Sequence, residues 1–460
     1  MKVTHIVKFL VAVSILTATA LTAQTFSGGS GIESDPYLIS SKADLDELAD
    51  IVNYGEPDWS WNKYFKVIND ITEPFQNRIG IYTPDAVDNG SVHPTFSHLF
   101  AGSFDGNGHR IVLDINLPEE DGVGLFGSVC GGPVNIKNVI LEGSVIGRFL
   151  VGGLIGEISG ATDNPNSNII CCYSHCAVTS IGRTYNQDTA LQSMVGGLIG
   201  YGNCSMLNCY TTGNIIAKGN YAGGLIGYHR NYIILNCYAT GNVICESGGV
   251  GGIAGSSSGR IFNCYFTGNI SSNDADNVGG IIGRPPYKAE FISNCYYLDT
   301  WLADGLPSNE YGTSITAEEM KTLEFVELLN AELQLPTWLD PLFKQKIGAW
   351  EYDLDNVNQG FPITTCAGDL YIADAQIQHI IVFPNPTNAT STLTFDIASS
   401  GNLTITLTDL LGAELFELHN AFTDAGVFVK TFSIEALPVG IYYLKINHSG
   451  NIRMEKVVKE

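Results

Sequence analysis

A phrase of two glycines, two hydrophobic residues and a third glycine recurs through the middle of the chain. Its copies begin at Gly152, Gly196, Gly223, Gly251 and Gly279. The last four copies are 27, 28 and 28 residues apart. A second phrase, Asn-Cys-Tyr, falls between them and begins at Asn208, Asn236, Asn263 and Asn294. A constant period of this length indicates repeated supersecondary units that bury a hydrophobic face only by stacking.

Each repeat is predicted to form short strands joined by tight turns. The hydrophobic runs are short and rich in β-forming residues, Gly-Gly and Gly-Asn pairs separate them, and none has helical spacing. Units of this kind, stacked in parallel about 4.8 Å apart, form a right-handed β-helix. A β-propeller is the alternative repeat fold, but its blades need about 40 residues each.

A strand and a helix are predicted before the repeats. Ser41–Asp44 resembles a capping box, and hydrophobic residues follow it at helical spacing. We expect residues 24–97 to form an N-terminal cap, because the end of a solenoid exposes unpaired strand edges. The β-helix itself is predicted over residues 98–300.

A second capping box, Thr316–Glu319, follows the last repeat. The hydrophobic positions after it predict a helix to about Leu333 within a C-terminal cap over 301–365. A linker is predicted over 366–378. From residue 379 to 460 the pattern changes to six or seven alternating strands separated by turn residues, which predicts a small antiparallel β-sandwich.

The expected fold is therefore all-β. It consists of a right-handed parallel β-helix with helix-containing caps, followed by the small antiparallel sandwich. The register of the Asn-Cys-Tyr strand stays open, because Met206, Ile234, Ile261 and Ile292 are apolar on the opposite parity from the repeated cysteines. A one-residue slip would turn every side chain to the other face of the sheet.

The repeats resemble the GLUG motif of bacterial surface proteins. The match is clearest over Ala222–Val243, and Phe104–His109 resembles the stretch that usually precedes such repeats. The resemblance covers about residues 96–300 and implies a secreted or surface β-helix. It implies no single activity, because such repeats also occur in immunoglobulin A peptidases.

The C-terminal segment resembles the type A sorting domain of the type IX secretion system of Bacteroidetes. The matching residues include Pro384, Asn385, Pro386, Gly412, Gly440, Tyr442 and Lys456. The resemblance implies export through the outer membrane by the type IX machinery. It also implies removal of the domain and attachment of the remainder to a surface polysaccharide.

Residues 1–23 are predicted to be a secretory signal peptide. Lys2 and Lys8 form the positively charged start, Phe9–Leu16 is the apolar segment, and small residues follow it. The apolar stretch is too short to span a bilayer, so we expect no transmembrane segment in the mature chain. The expected location is secreted, at the outer cell surface.

The charge of the chain limits its possible partners, and its cysteines allow a structural prediction. The chain has 460 residues, with 23 Lys and Arg against 47 Asp and Glu, and a net charge of −24. Nucleic acid is therefore excluded as a partner, because no basic stripe is present to meet phosphates. The repeated cysteines are expected to stack in one buried column of thiols, with disulfides between neighbouring coils left open.

No catalytic, cofactor or metal site is predicted. The chain contains no His-Glu-x-x-His and no Gly-x-Ser-x-Gly at a strand-to-helix turn. Cys171–Cys176 has metal-ligand residue types, but strand alternation separates them onto two faces. Asp105–Gly108 fits a tight turn, and in Asp353–Asn358 a valine occupies a calcium-ligand position.

The resulting hypothesis is a surface adhesin or ligand-display scaffold without catalysis, which binds a glycan or a host protein. If the cysteines point inward, the adjacent tyrosines point outward and form an exposed contact column, namely Tyr210, Tyr238, Tyr265 and Tyr296. A polyanion-binding strip is the second candidate contact, formed by Arg230, Arg260 and Arg284. The alternative function is a carbohydrate-active β-helix enzyme, either a polysaccharide lyase or a hydrolase, which needs facing carboxylates.

Overall fold

The structure is a computed structural model of the chain. It describes residues 26–82, 87–88, 91–92, 98–130, 134–159, 167–184, 191–273, 275–284, 291–300, 311–331, 348–354, 356–366, 377–397, 400–409, 413–448 and 451–460. The predicted signal peptide lies outside these residues. Among them, no helix has the length and apolar character needed to cross a membrane.

The N-terminal elements are β1 (Tyr37–Ile39), α1 (Lys42–Tyr54), β2 (Tyr64–Val67), β3 (Ile71–Phe75), β4 (Val87–Asp88) and β5 (Ser91–Val92). The predicted capping box is present at the start of α1. The Asp44 amide donates to Ser41 Oγ at 3.4 Å, and the Asp44 carboxylate accepts the Ser41 amide at 3.2 Å. These contacts satisfy backbone donors at the start of the helix.

The strands of the solenoid follow in chain order. They are β6 (Ser103–Asp105), β7 (Arg110–Asn116), β8 (Phe126–Cys130), β9 (Asn135–Lys137), β10 (Ile140–Gly147), β11 (Leu150–Gly152), β12 (Ile155–Ser159), β13 (Asn168–Ile170), β14 (Tyr173–Ser174), β15 (Ala177–Ser180), β16 (Arg183–Thr184), β17 (Leu191–Gln192), β18 (Met194–Gly196), β19 (Ile199–Gly202), β20 (Ser205–Leu207), β21 (Tyr210–Thr211), β22 (Ile215–Ala217), β23 (Tyr221–Gly223), β24 (Ile226–His229), β25 (Ile233–Leu235), β26 (Tyr238–Ala239), β27 (Val243–Cys245), β28 (Gly249–Gly251), β29 (Ala254–Ser257), β30 (Arg260–Phe262), β31 (Tyr265–Phe266), β32 (Ile270–Ser272), β33 (Val278–Gly279), β34 (Ile282–Arg284), β35 (Ile292–Ser293), β36 (Tyr296–Leu298) and β37 (Thr313–Ile315). A 3-10 turn at Ala275–Asn277 interrupts the last coils.

Parallel sheets form the walls of the solenoid, and successive coils add neighbouring strands to each sheet. One sheet has the order β1-β2-β6-β9-β13-β20-β25-β30-β35, and another has the order β8-β12-β19-β24-β29-β34. The predicted parallel β-solenoid is confirmed. Strands β1 and β2, which the sequence pattern placed in the N-terminal cap, belong to the first of these sheets, because parallel pairing does not require the glycine phrase.

The cysteines of the repeated phrase form one buried column, as predicted. The column continues through Cys172, Cys209, Cys237, Cys264 and Cys295, each no more than 3% exposed. The Cys209 amide donates to Cys237 Sγ at 3.3 Å, and Cys237 Sγ donates to the Leu235 carbonyl at 3.2 Å. Burial raises the pKa of Cys237 and Cys264, which keeps these thiols neutral.

The asparagine that precedes each repeated cysteine bends the chain. Asn236 and Asn263 have φ of 53° and 54°, in the left-handed region that asparagine tolerates better than most residues. Asn263 Nδ2 donates to Asn236 Oδ1 at 2.6 Å, so the side chains link successive coils. The bend also explains which side chains are buried. In one continuous strand, Met206 and Cys209 would point to opposite faces, but the corner lies between them and both are buried.

The glycine phrase marks a second corner, where successive coils approach closely. A Cβ at Gly224 would clash with the backbone of Gly252, and a Cβ at Gly252 would clash with the backbone of Gly280. Glycine is therefore required at this corner because the adjacent coil fills the space that a side chain would need.

Residues 311–331, 348–354 and 356–366 form a segment that we call the strap. Its elements after β37 are α2 (Ala317–Met320), α3 (Leu323–Asn330), β38 (Trp350–Glu351) and β39 (Ile363–Thr364). The single helix predicted to about Leu333 is wrong. Two short helices form instead, because the Thr322 hydroxyl accepts the Phe325 amide and starts α3 as a new helix.

The strap does more than close the last coil. Strand β37 pairs in parallel with β36, and the chain then returns along the flank of earlier coils. Phe325 contacts Tyr296, Trp350 contacts Tyr265 at 5.3 Å between ring centroids, and the Gly348 amide donates to Asn208 Oδ1 at 3.3 Å. The strap therefore covers an apolar flank of the solenoid.

A disulfide fastens the end of the strap. Cys171 and Cys366 are bonded with their Cα atoms 6.1 Å apart, and the other nine cysteines are buried thiols. Cys171 has φ of 55° and stands at the corner that asparagine occupies in other coils. Cys366, predicted to begin the linker, is thus buried and bonded to the solenoid; residues 367–376 lie outside the described part of the chain.

The C-terminal segment forms the predicted antiparallel sandwich. Its strands are β40 (Ile377–Phe383), β41 (Thr390–Ile397), β42 (Gly401–Thr408), β43 (Glu414–Thr423), β44 (Gly426–Ser433), β45 (Gly440–His448) and β46 (Asn451–Lys459). The two sheets have the orders β40-β41-β44 and β43-β42-β45-β46. Leu393, Phe395, Ile405 and Leu444 lie in a hydrophobic core of its own.

We expect Asn236→Ala to destabilise the solenoid by about 3 kcal/mol. Alanine in the left-handed region costs about 1–2 kcal/mol. The substitution also removes the hydrogen bonds of Asn236 to the Gly348 carbonyl, at 3.0 Å, and to Asn263. The measurement is chemical denaturation, with Asn236→Gly as the matched control because glycine keeps the backbone conformation and loses only the side-chain bonds. Equal stability of the alanine variant and the wild type would contradict the corner.

Loss of the disulfide should lower the free energy of unfolding by about 2–5 kcal/mol, because the bridge closes a long loop, with 195 residues of sequence separation. Thermal melting of Cys366→Ala with and without reductant measures this effect. Reductant should lower the melting temperature of the wild type and leave that of the variant unchanged. A wild type that is insensitive to reductant would contradict the role of the bridge.

Stability should fall as pH drops from 6.5 to 4. His229 is buried, with Nδ1 3.0 Å from Ser257 Oγ and Nε2 3.3 Å from the Cys204 carbonyl, and burial lowers its pKa from 6.5 to about 4. In this window the unfolded state binds a proton that the folded state does not, which costs up to about 3 kcal/mol at the acid end. Denaturation from pH 7 to 4 should show a shallower dependence in His229→Gln. If the free energy of unfolding falls equally with pH in the wild type and in the variant, His229 is not the cause.

Candidate functional site

The predicted tyrosine column exists but does not form an exposed contact surface. Tyr238 and Tyr265 are 3% and 0% exposed, and Tyr210 and Tyr296 are half-buried. The rings stack, with centroids 4.7 Å apart for Tyr210 and Tyr238 and 5.0 Å apart for Tyr238 and Tyr265. The prediction of an exposed column is wrong because the strap covers it: Trp350 packs on the rings.

Hydrogen bonds also attach the column to the strap. Tyr265 Oη donates to the Pro362 carbonyl, and Asn358 Nδ2 donates to Tyr265 Oη at 2.7 Å. Burial raises the pKa of Tyr265 far above its ordinary value, so the phenol remains a neutral donor. The outward tyrosines of the Asn-Cys-Tyr phrase therefore stabilise the protein internally.

A different set of aromatic and basic residues reaches solvent along the sheet that contains β19, β24 and β34 and at the adjoining strand β23. We call it the tyrosine–arginine face, and it consists of Tyr201, Tyr221, Tyr228, Arg230 and Arg284. Strand pairing places Tyr201 beside Tyr228, and their rings stack at 5.8 Å and 24°. Tyr221 meets Tyr228 edge to face at 5.5 Å. The three rings thus form a contiguous aromatic platform.

Two of the three predicted arginines belong to this face. Arg230 Nη1 donates to Tyr201 Oη at 3.0 Å, and Arg284 Nη1 donates to Tyr221 Oη at 2.9 Å. Both arginines are exposed, while the tyrosines are half-buried. The bond to Tyr201 raises the pKa of Arg230, so this guanidinium is a permanent cation. The phenol oxygens hold both guanidinium groups in place.

The third arginine lies around a corner. Arg260 is on β30, in the neighbouring sheet, and its guanidinium carbon is 4.8 Å from the centroid of the Phe291 ring. The amide of Arg260 donates to the Tyr232 carbonyl at 2.8 Å. The structure therefore brings Arg230 and Arg284 together on one face and places Arg260 on another.

The coil between the tyrosines and Arg284 carries small residues on this face. Tyr228 pairs with Ser256, which pairs with Arg284, and Tyr221 pairs with Gly249. Arg284 can reach back across this coil to Tyr221 because no bulky side chain intervenes. Tyr201, Tyr221 and Tyr228 were not predicted as contact residues because they stand outside the Asn-Cys-Tyr phrase. A tyrosine directly after the glycine phrase in two successive coils, at Tyr201 and Tyr228, was the available signal.

A cavity of about 410 Å³ lies beside the β16–β17 hairpin. Glu119, Asp121, Arg148 and Arg183 are among its lining residues. The carboxylate of Asp121 accepts hydrogen bonds from Arg148 Nε and Arg183 Nη1, both at 2.7 Å, and so forms ion pairs with two arginines. This arrangement fits an ion-pair network that connects neighbouring coils.

The sequence stretches with metal-ligand residue types have other structural roles. Cys171 is in the disulfide and Cys172 is in the buried column. The carboxylate of Asp353 accepts backbone amides of Val357, Asn358 and Gly360 at 2.7–2.8 Å, which makes the calcium-like stretch a turn. Within the described ranges, no group of three or more potential ligand residues surrounds a point that suits a metal ion.

The matched motif residues of the sandwich fasten its terminal strands. Asn385 Nδ2 donates to the Lys456 carbonyl at 2.6 Å, and the Val458 amide donates to Asn385 Oδ1 at 2.8 Å. Pro384, on one side of Asn385, accepts the Ser391 hydroxyl through its carbonyl at 2.5 Å. Pro386 lies on the other side of Asn385 in the same turn.

The remaining motif residues lie near the start of β45. Tyr442 Oη donates to the Pro438 carbonyl at 2.8 Å, and Gly440 begins the strand. Gly412 falls outside the described residues. The side chain of Lys456 is exposed, whereas Lys459 is buried and donates to the carbonyls of residues 434, 435 and 437. Lys459 is not among the matched motif residues, yet it connects the last strand to the turn before β45.

Comparisons with known proteins agree with both parts of this architecture. Residues 381–460 match the family model described as "Secretion system C-terminal sorting domain". Residues 218–244 and 246–271 match the family model described as "The GLUG motif".

A curated relative and a solved structure are also similar to the chain. The relative, "Putative Gly-rich membrane protein" from Evansella cellulosilytica, is 29% identical over 152 residues, which are 32% of this chain and 16% of that protein. The structure is titled "Crystal structure of a putative immunoglobulin A1 protease from Bacteroides ovatus". It has a TM-score of 0.45 and 20% identity over 74% of this chain and 95% of that one. On the two family matches and the fold, the chain is a secreted cell-surface protein that joins a GLUG-repeat β-solenoid to a type IX C-terminal sorting domain.

Proposed function

We propose that the protein is an adhesin or ligand-display scaffold without catalysis, and that it contacts its ligand through the tyrosine–arginine face. The sorting domain directs the chain to the cell surface, where the solenoid meets external molecules. A rigid stack of coils holds contact residues at fixed spacing, which limits the entropy lost on binding. Function then depends on which side chains the coils present to solvent.

The observation that carries this proposal is the contrast between two tyrosine sets. Tyr238 and Tyr265 of the Asn-Cys-Tyr phrase are buried under the strap, whereas Tyr201, Tyr221 and Tyr228 are half-buried and lie beside two exposed arginines. Tyrosine and arginine are enriched at binding hot spots, because the ring supplies apolar area and the guanidinium supplies directional donors. This composition favours ligand contact over internal packing.

The carboxylates of the described coils support binding rather than hydrolysis. A retaining or inverting glycosidase needs two carboxyl groups about 5–9.5 Å apart, with one of them protonated. On the sheet of the tyrosine–arginine face, strand pairing aligns Glu157 with Ser128 and Tyr201, so no second carboxylate stands beside it in these two neighbours. At the cavity, Asp121 is held by two arginines.

A binding experiment tests the adhesin proposal. The mature chain is screened against immobilised glycans and extracellular proteins, and bound ligands are re-tested with the double variant Tyr201→Ser, Tyr228→Ser. Binding should weaken at least about tenfold, because the stacked platform is lost. Ile216→Ser with Ile244→Ser is the matched control, since both are exposed on a different sheet.

The control variant should bind as the wild type does. If the tyrosine variant binds the ligand with the affinity of the wild type, the tyrosine–arginine face is not the contact surface. Release of shortened saccharides during incubation would overturn the non-catalytic assignment in favour of a carbohydrate-active enzyme.

A further inference from the structure

We infer that the tyrosine–arginine face binds an acidic polysaccharide whose sugar rings carry carboxylates, lying along the solenoid axis. The inference rests on the proposed function and adds the class of ligand. Its basis is the linear order of the contact groups, the fixed position of two guanidinium groups and the charge of the rest of the molecule.

The contact groups lie in a line across successive coils. Strand pairing gives the order Tyr201, Tyr228, Ser256 and Arg284 on one sheet. Successive coils are about 4.8 Å apart, so this line is about 14 Å long. An extended polymer fits such a line better than a compact small molecule does, since a polymer can contact each coil in turn.

The tyrosine rings suit pyranose rings in particular. Tyr201 and Tyr228 stack with each other at 5.8 Å, and Tyr221 meets Tyr228 edge on. The rings are half-buried, and the arginines donate to two of their phenol oxygens, so the tyrosines and arginines together form a mixed apolar and polar surface. Sugar rings have the same mixed character, with C–H groups on their faces and hydroxyls at their edges, so the two surfaces are complementary.

The arginines select the charge of the ligand. Arg230 uses one donor on Tyr201 Oη, and a guanidinium has five donors in a planar fork that matches a carboxylate. Arg284 lies two coils beyond Tyr228 on the same line, and its Nη1 donates to Tyr221 Oη. Because each guanidinium is already oriented, less freedom is lost when a carboxylate binds.

The surrounding charge limits where a polyanion can bind. The whole chain has a net charge of −24, so most of its surface repels a polyanion. Glu157 is the neighbour of Tyr201 on the preceding coil, and it marks the acidic end of the line. A carboxylated chain is therefore expected to lie from Tyr201 toward Arg284, away from Glu157.

The test uses two oligosaccharides that differ only in the carboxylate. Cellohexaose is neutral, and its C6-oxidised counterpart carries a glucuronate in every ring. Their affinities for the full mature chain are measured by titration calorimetry at 50 and 200 mM salt. We expect the acidic hexamer to bind at least about tenfold more tightly at low salt and to lose that advantage at high salt.

Arginine variants assign the effect to this face. Arg230→Gln with Arg284→Gln should remove the preference for the acidic hexamer and flatten the salt dependence, while Arg230→Lys with Arg284→Lys should keep the salt dependence and lose affinity about threefold or more. Lys218→Gln is the control, because this exposed cation pairs with Glu246 at 2.6 Å on another part of the coil. It should leave both affinities unchanged.

The outcomes separate this inference from the proposed function. Equal binding of the two hexamers, with loss of both in Tyr201→Ser with Tyr228→Ser, would overturn the acidic ligand and leave the adhesin face standing. Preferential binding of polyglutamate or of a sulfated hexamer would also overturn the carboxylated sugar. Unchanged affinity in both the tyrosine and the arginine variants would show that the ligand binds elsewhere, and would overturn this inference together with the proposed contact face.

Discussion

One left-handed asparagine in each of the later coils decides which side chains the solenoid buries. The bend at Asn208, Asn236, Asn263 and Asn294 turns the chain so that apolar residues on both sides of the corner point inward. The asparagine side chains bond to one another or to the strap, so the conformation is supported by hydrogen bonds as well as by the tolerance of the residue. Without this bend, the apolar residues on one side of the corner would point away from the core.

The same corner determines what the strap must do. With cysteine inside, the adjacent tyrosine lies outside, and the repeated phrase builds a continuous apolar stack on the flank. Leaving that stack in water is unfavourable because of its area. The strap buries it with Trp350 and Phe325, and the disulfide between Cys171 and Cys366 fastens the last residue before the segment that leads to the sandwich.

The covered flank leaves a different wall of the solenoid for external contact. On the following coil, Tyr221 pairs with Gly249 and Tyr228 pairs with Ser256, so the aromatic platform ends there and Arg284 lies one coil beyond it. Export places the platform at the cell surface. Rigid coils and a surface-directing domain thus combine to present a small fixed array of contact groups.

The periodic phrases of the sequence by themselves determined the parallel solenoid and the stacking of the repeated cysteines in one column, because in-register coils repeat the same environment. The alternating strands after residue 379 determined the sandwich. The motif residues likewise identified the sorting domain. The sequence did not determine the left-handed corner, since both parities of the strand read as apolar. It also did not determine which tyrosines face solvent. The strap begins in sequence after Thr300 yet covers Tyr238 and Tyr265, and its contacts exist only when distant segments pack together. Only the tertiary structure decided which face remains open to a ligand.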